Sequence, residues 1–148
     1  MPTEVLPAAE MDAATMYQVC RLRQDVFVLE QACLYPDLDG RDLEPGTLHA
    51  VLRDDAGQVI GTARVLDEGS EWRIGRVVLA RAGRGRGLAD DLVRACVAAA
   101  QQRDPARDLV LSAQSPLTGF YRGFGFVPDG PEYDEDGIAH TPMRRTAG

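Results

Sequence analysis

The stretch Arg73-Ile74-Gly75-Arg76-Val77-Val78-Leu79-Ala80-Arg81-Ala82-Gly83-Arg84-Gly85-Arg86-Gly87-Leu88-Ala89 changes character twice. It opens as an apolar run with alternating polar positions, the pattern of a strand. Gly83, Gly85 and Gly87 then alternate with Arg84 and Arg86, the composition of a loop. From Leu88 the period turns helical: Leu88, Leu92, Cys96 and Ala99 fall on one face, with Val93, Val97 and Ala100 beside them. A helix start leaves backbone N–H groups unpaired at the positive end of its dipole. Glycines before it let a ligand approach the backbone closely. A strand, a glycine-rich basic loop and a helix therefore suit a phosphate or pyrophosphate, with Arg81, Arg84 and Arg86 adding charge.

The common nucleotide signatures do not fit. A Walker A loop needs Gly-Lys-Ser/Thr, and the chain has no lysine. The dinucleotide fingerprint needs G-x-G-x-x-G, and after Gly83-x-Gly85 position 88 is Leu. ATP and dinucleotide binding are disfavoured accordingly.

Length and composition set the frame. The 148 residues suit one domain, 1–148, with its own core. A net charge of −7 disfavours a nucleic-acid partner. No apolar run reaches the ~20 residues of a membrane helix, so no membrane partner is expected. The N-terminal residues lack a basic region and apolar signal core, and the expectation is a cytoplasmic protein. The 3 cysteines are scattered, with no C-x-x-C pair, and no metal site is expected. Cys20 and Cys96 sit at apolar helix positions, and Cys33 in a loop.

Taken in order, Glu4-Val5-Leu6 reads as a short strand stopped by Pro7. Asp12 is a good helix N-cap. Residues 12–30 follow as one helix, or as two broken near Arg23-Gln24. The acidic loop 37–44 reads either as solvated or as an acidic wall of a substrate site. An EF-hand there would need glycine at 42 and glutamate at 48, where Asp42 and Leu48 stand. Residues 48–53 and 59–66 form a hairpin, and 72–79 is the strand before the loop. The helix from Leu88 runs to about Arg103, where Asp104-Pro105 ends it. Residues 109–113 are a strand parallel to 72–79. Ser115 is expected to cap a short helix with Pro116 at its first position, Gly125 to stop that helix, and Phe126 to open a strand. Residues 140–144 form the last strand. His49, alone on a strand, reads as structural.

Several segments resemble one family. Arg84-x-x-Gly87-x-Ala89 resembles the R/Q-x-x-G-x-G/A loop of the GNAT N-acetyltransferases. Phe120-Tyr121-x-x-Phe124-Gly125-Phe126 resembles their second motif, a helix ending in Y-x-x-x-G-F. Arg23-x-x-Val26-Phe27-x-x-Glu30-Gln31, the Tyr35–Asp42 loop, and the ending through Gly137-Ile138-x-His140-x-x-Met143 are similar to the ElaA-like branch. The resemblance implies an α/β (α+β) GNAT acyl-CoA N-acyltransferase fold. That fold has a mixed, mostly antiparallel sheet of about six to seven strands flanked by about four helices.

The resemblance also implies a reaction: acetyl transfer from acetyl-CoA, as co-substrate, to a primary amine by direct attack in a ternary complex. Val77, Val78, Leu79, Arg84, Gly85, Arg86, Gly87, Leu88, Ala89 and Tyr121 would contact acetyl-CoA. A backbone amide at Val78 or Leu79, with Leu79 preferred, would polarise the thioester carbonyl. Tyr121 would be the acid for the thiolate. Glu30, Asp37, His49, Glu71 and His140 are candidate bases, with Glu30 favoured because its segment flanks the acceptor side in the family. No basic neighbour of Cys33 favours a covalent acetyl-cysteine route. The acceptor is a small-molecule or peptide amine, and acidic loops 37–44 and 132–136 would suit a cationic one. Many members of the family are dimers, which makes a homodimer the guess. The alternative is a non-catalytic CoA or acyl-CoA sensor on the same fold.

Overall fold

The computed structural model describes residues 3–33 and 35–148. Strands β1 (Thr3–Pro7), β2 (Leu48–Arg53), β3 (Val59–Asp67) and β4 (Glu71–Leu79) form an antiparallel meander. Helix α2 (Leu88–Arg103) crosses from β4 to β5 (Asp108–Gln114), which pairs parallel to β4. Strand β8 (Ile138–Arg145) lies antiparallel beside β5, with β6 (Val127–Pro128) and β7 (Tyr133–Glu135) both on its outer edge. The sheet thus has 8 strands among the described residues, where six to seven were expected.

Two faces are covered. On one, α2 lays Leu88, Leu92, Val93, Cys96, Val97 and Ala100 against the strands, the apolar face seen in the sequence. Gly61 of β3 permits this approach: a Cβ there would stand 2.8 Å from Leu79 Cδ2 and 3.1 Å from Leu92 Cδ1. On the other face lies α1 (Ala13–Arg23), capped by the Asp12 carboxylate on the Thr15 amide at 2.7 Å. It runs into a π-helical segment, Gln24–Glu30, so the expected break at Arg23-Gln24 is a change of winding. Val26 and Phe27 of that segment pack with Leu22 on Val78.

The third helix, α3, spans Thr118–Arg122. Three α-helices and the π segment stand where about four helices were expected. Ser115 does not cap α3: it opens a preceding 3-10 turn, and its hydroxyl pairs with Thr141 Oγ1 at 2.8 Å. Gly125, at φ +89, does end the segment. Phe126 is fully buried and precedes β6 rather than opening it. No helix among the described residues is long and apolar enough to cross a membrane.

Candidate active site

The parallel ladder between β4 and β5 is short. It runs from Glu71↔Asp108 to Arg73↔Val110 and ends there, so the two strands diverge beyond it. Between them opens a cleft of about 460 Å³. β4 also carries an extra residue: Arg64 faces Gly75 and Thr62 faces Val78, leaving a bulge at Arg76, whose φ is +52.

The register beyond the bulge decides where the main chain points. Ala80 donates its amide to Ile60 O at 2.8 Å, while Leu79 stands opposite Gly61. Hydrogen-bonded and non-bonded pairs alternate in an antiparallel ladder. Leu79 therefore turns its N–H and C=O away from β3 and toward the divergence. Its carbonyl confirms the direction, accepting from Arg84 Nη2 at 3.0 Å and Nε at 3.2 Å. Val77, Val78, Leu79, Arg84 and Tyr121 all line the one cleft.

Gly85 to Ala89 follow Arg84 as the turn into α2. Gly85 and Gly87 have φ of +74 and +73, which an L side chain adopts only with strain. Gly87 is the N-cap and supplies no side-chain cap, so the first-turn amides of Leu88 and Ala89 are left to an external acceptor. The motif fits an anion such as a pyrophosphate. Arg86 reaches back to Ala82 O at 3.5 Å. Arg84 is clamped by Glu30, Nη1 to Oε2 at 2.7 Å and Nη2 to Oε1 at 3.1 Å. Hydrogen bonding from Arg84 holds the Glu30 carboxyl below its ordinary value, so it is a poor proton acceptor.

The opposite wall comes from α3, β7 and β8. Tyr121 is almost buried, edge-on to Phe120 and Phe126, and burial pushes its phenol up to about 12. His140 lines the same cleft with Glu135 and Asp136. Cys33 is buried facing them, and desolvation raises its thiol, which disfavours the thiolate an acetyl-cysteine route requires.

The acidic loop is neither of the things its sequence suggested. Asp37 and Asp42 are buried, and Asp39 is largely covered by its arginine partners. Arg23, only 1 % exposed, reaches Asp37 Oδ2 at 3.1 Å, Asp37 O at 2.8 Å and Asp42 Oδ1 at 2.5 Å. Arg64 holds Asp39 at 2.6 Å and Asp42 at 3.1 Å. Arg76, swung over by its bulge, reaches Asp37 at 2.9 Å and stacks on Tyr35 at 5.1 Å. Three arginines neutralise three aspartates, Asp37 and Asp42 inside the protein and Asp39 at its surface. The loop is an internal clasp, so it presents no acidic wall to an acceptor.

The candidate bases separate on these contacts. Asp37 belongs to the clasp. His49 is fully buried, with Nε2 2.8 Å from Asp42 O. Glu71 pairs with Arg144 at 3.2 Å, at the closed end of the β4–β5 ladder. Glu30 is held by Arg84. Of the five, Glu30 and His140 line the cleft, and among the described residues His140 makes no contact with a cation. The sequence reading passed over Glu135, Asp136 and Tyr133 as individual site residues. The 132–136 run carries no apolar alternation, and the pairing of Tyr133 with His140 that brings it to the site is not visible in a sequence.

Comparison with known proteins agrees with this geometry. A model of the acetyltransferase (GNAT) domain matches residues 23–147. A UPF0039 protein of Mycobacterium tuberculosis is 45% identical over 143 residues, covering 93% of this chain and 88% of its own. The crystal structure of an acyl-CoA N-acyltransferase from Pseudomonas aeruginosa superposes with a TM-score of 0.93 at 35% identity, over 99% of this chain and 100% of that one. The crystal structure of Escherichia coli ElaA superposes with a TM-score of 0.91 at 33% identity, over 97% of each chain. The open β4–β5 ladder, the positive-φ glycine turn into α2 and these likenesses agree: the chain belongs to the GNAT superfamily, in its ElaA-like branch.

Proposed function

We propose that the protein transfers an acetyl group from acetyl-CoA to a primary amine by direct attack in a ternary complex. One observation carries this reading. A main-chain amide freed by strand register, Leu79 N–H, faces the same cleft as the Tyr121 phenol, beside an uncapped helix start. Acetyl-CoA supplies the activated thioester. The amides from Gly85 to Ala89 hold the pyrophosphate. Leu79 N–H donates a hydrogen bond to the carbonyl oxygen as negative charge develops on it. Tyr121 hydrogen-bonds the departing sulphur. Outright transfer from a phenol at about 12 to a thiolate of ordinary basicity (thiol pKa about 8.5) runs uphill, so the hydrogen bond is its contribution.

The acceptor side is bounded by Glu135 and Asp136, whose charges are not drawn into the Asp37–Asp42 clasp. They favour a cationic amine, now on the 132–136 loop alone. Calorimetric titration with acetyl-CoA and CoA, against ATP and NAD, tests the ligand class. Thiol release with spermidine, an aminoglycoside, a lysine-bearing peptide and a neutral amine tests transfer. Selective CoA binding with no thiol release from any of them would favour the sensor reading.

A further inference from the structure

Resting on that transfer reading, we propose that His140 is the proton acceptor of the reaction, held in the required tautomer by a main-chain carbonyl. His140 Nδ1 lies 2.9 Å from Ile138 O. A carbonyl only accepts, so Nδ1 carries the hydrogen, and the neutral ring keeps its bare lone pair on Nε2. The ring is stacked on Tyr133, centroids 5.8 Å apart at 25°. Tyr133 is itself fixed, donating its hydroxyl to Ser112 Oγ at 2.7 Å. These contacts set both the orientation of the ring and the free nitrogen.

The charged surroundings suit a ring that becomes cationic in each cycle. Glu135 Oε2 stands 3.9 Å from Nε2, too long for a hydrogen bond but close enough to offset an imidazolium. Asp136 follows at the turn, and Cys33 and Tyr35 line the cleft with it. The four arginines that also line it are engaged elsewhere: Arg64 and Arg76 by the aspartate clasp, Arg73 by Glu68 at 2.9 Å and Arg84 by Glu30 at 2.7 Å. His49, the other of the 2 histidines, is the internal contrast. Its Nε2 faces a carbonyl, so it carries the opposite tautomer in a fully buried site.

The step balances simply. The neutral amine nitrogen forms a bond to the acetyl carbon, and the C–S bond breaks with its electron pair on sulphur. One N–H proton passes to His140 Nε2 and from there to solvent. The thiolate, hydrogen-bonded by Tyr121, takes a proton from solvent to leave as CoA thiol, which balances the proton released through His140, so amide and thiol are the products.

Two measurements on the full chain test this. Nitrogen NMR of histidine-labelled protein near pH 8 should show one ring protonated on Nδ1 and one on Nε2, with the Nδ1–H signals missing from His140→Gln. A His140 protonated on Nε2 overturns the assignment. With whichever panel amine the wild type acetylates, His140→Gln should lower kcat by about 10²-fold or more. It should leave acetyl-CoA binding unchanged and change the shape of the pH–rate profile, leaving only the dependence that the amine's own ionisation imposes. An unchanged profile with unchanged kcat overturns the proposal while leaving acetyl transfer intact. A wild type that releases no thiol with any amine overturns the transfer reading itself, and this proposal with it.

Discussion

Tyr121 keeps its proton throughout the physiological range because burial disfavours the phenolate. Tyr121→Phe should therefore cost about 10²-fold in kcat, the order lost with one transition-state hydrogen-bond donor, and leave the acetyl-CoA dissociation constant unchanged. Steady-state kinetics beside calorimetry would check both. Glu30 makes the opposite case. Its carboxylate is committed to Arg84 and Arg81 at the edge of the phosphate loop. Glu30→Gln should leave the pH–rate profile unshifted. It should tighten acetyl-CoA binding by about 2- to 5-fold at low salt, since a negative charge beside the pyrophosphate is removed and exposed charges are screened as salt rises. An alkaline or acid shift of the profile would restore Glu30 as the base.

At the scale of elements, periodicity was informative where a segment buries one face, and weak where it does not. β2 and α2 have the bounds read from the sequence, because both carry long apolar patterns. β7 went unseen: Tyr133–Glu135 is three exposed residues, and only its pairing with β8 makes it a strand. The aspartate loop was misread because its partners, Arg23, Arg64 and Arg76, lie far off in the chain, and charge patterning is a local signal. The expectation that the Leu79 amide faces the substrate came through resemblance alone. The physical reason, ladder parity beyond a bulge, depends on pairing that a sequence does not show. The closeness of α2 to β3 gives a test at this scale. Gly61→Val would drive a methyl into Leu79 and Leu92, destabilising the protein by about 1–3 kcal/mol in urea unfolding and displacing the strand that carries the Leu79 amide.

Across the whole molecule, the clasp and His49 couple stability to acidity with a defined sign. Desolvation lowers the His49 imidazole, so the unfolded chain takes up its proton first, and stability starts to fall as pH drops below about 6.5. Hydrogen bonding from Arg64 depresses the Asp39 carboxyl. For Asp42, burial pulls upward but Arg23 and Arg64 outweigh it. Their contribution is complete above about pH 4 and lost as pH falls toward the depressed values. Thermal melts should be flat near pH 7–8, then decline in two stages, and His49→Gln should remove the first. Arg23→Met would leave buried carboxylates short of their cation, at a cost of about 3–5 kcal/mol seen as a lower urea midpoint.

The brevity of the β4–β5 ladder has a mechanical consequence. Strands β1–β4 form one leg and β5–β8 the other, and among the described residues the sheet joins them from Glu71↔Asp108 to Arg73↔Val110. The molecule is a pair of dividers pivoting near Trp72, with the Gln31–Gln114 hydrogen bond of 3.2 Å as a light tie across the points. Anything lodged between the legs acts as a splint. Amide hydrogen exchange at the pivot should slow when acetyl-CoA is bound, and the opening between the points should set how bulky an acyl chain the protein tolerates.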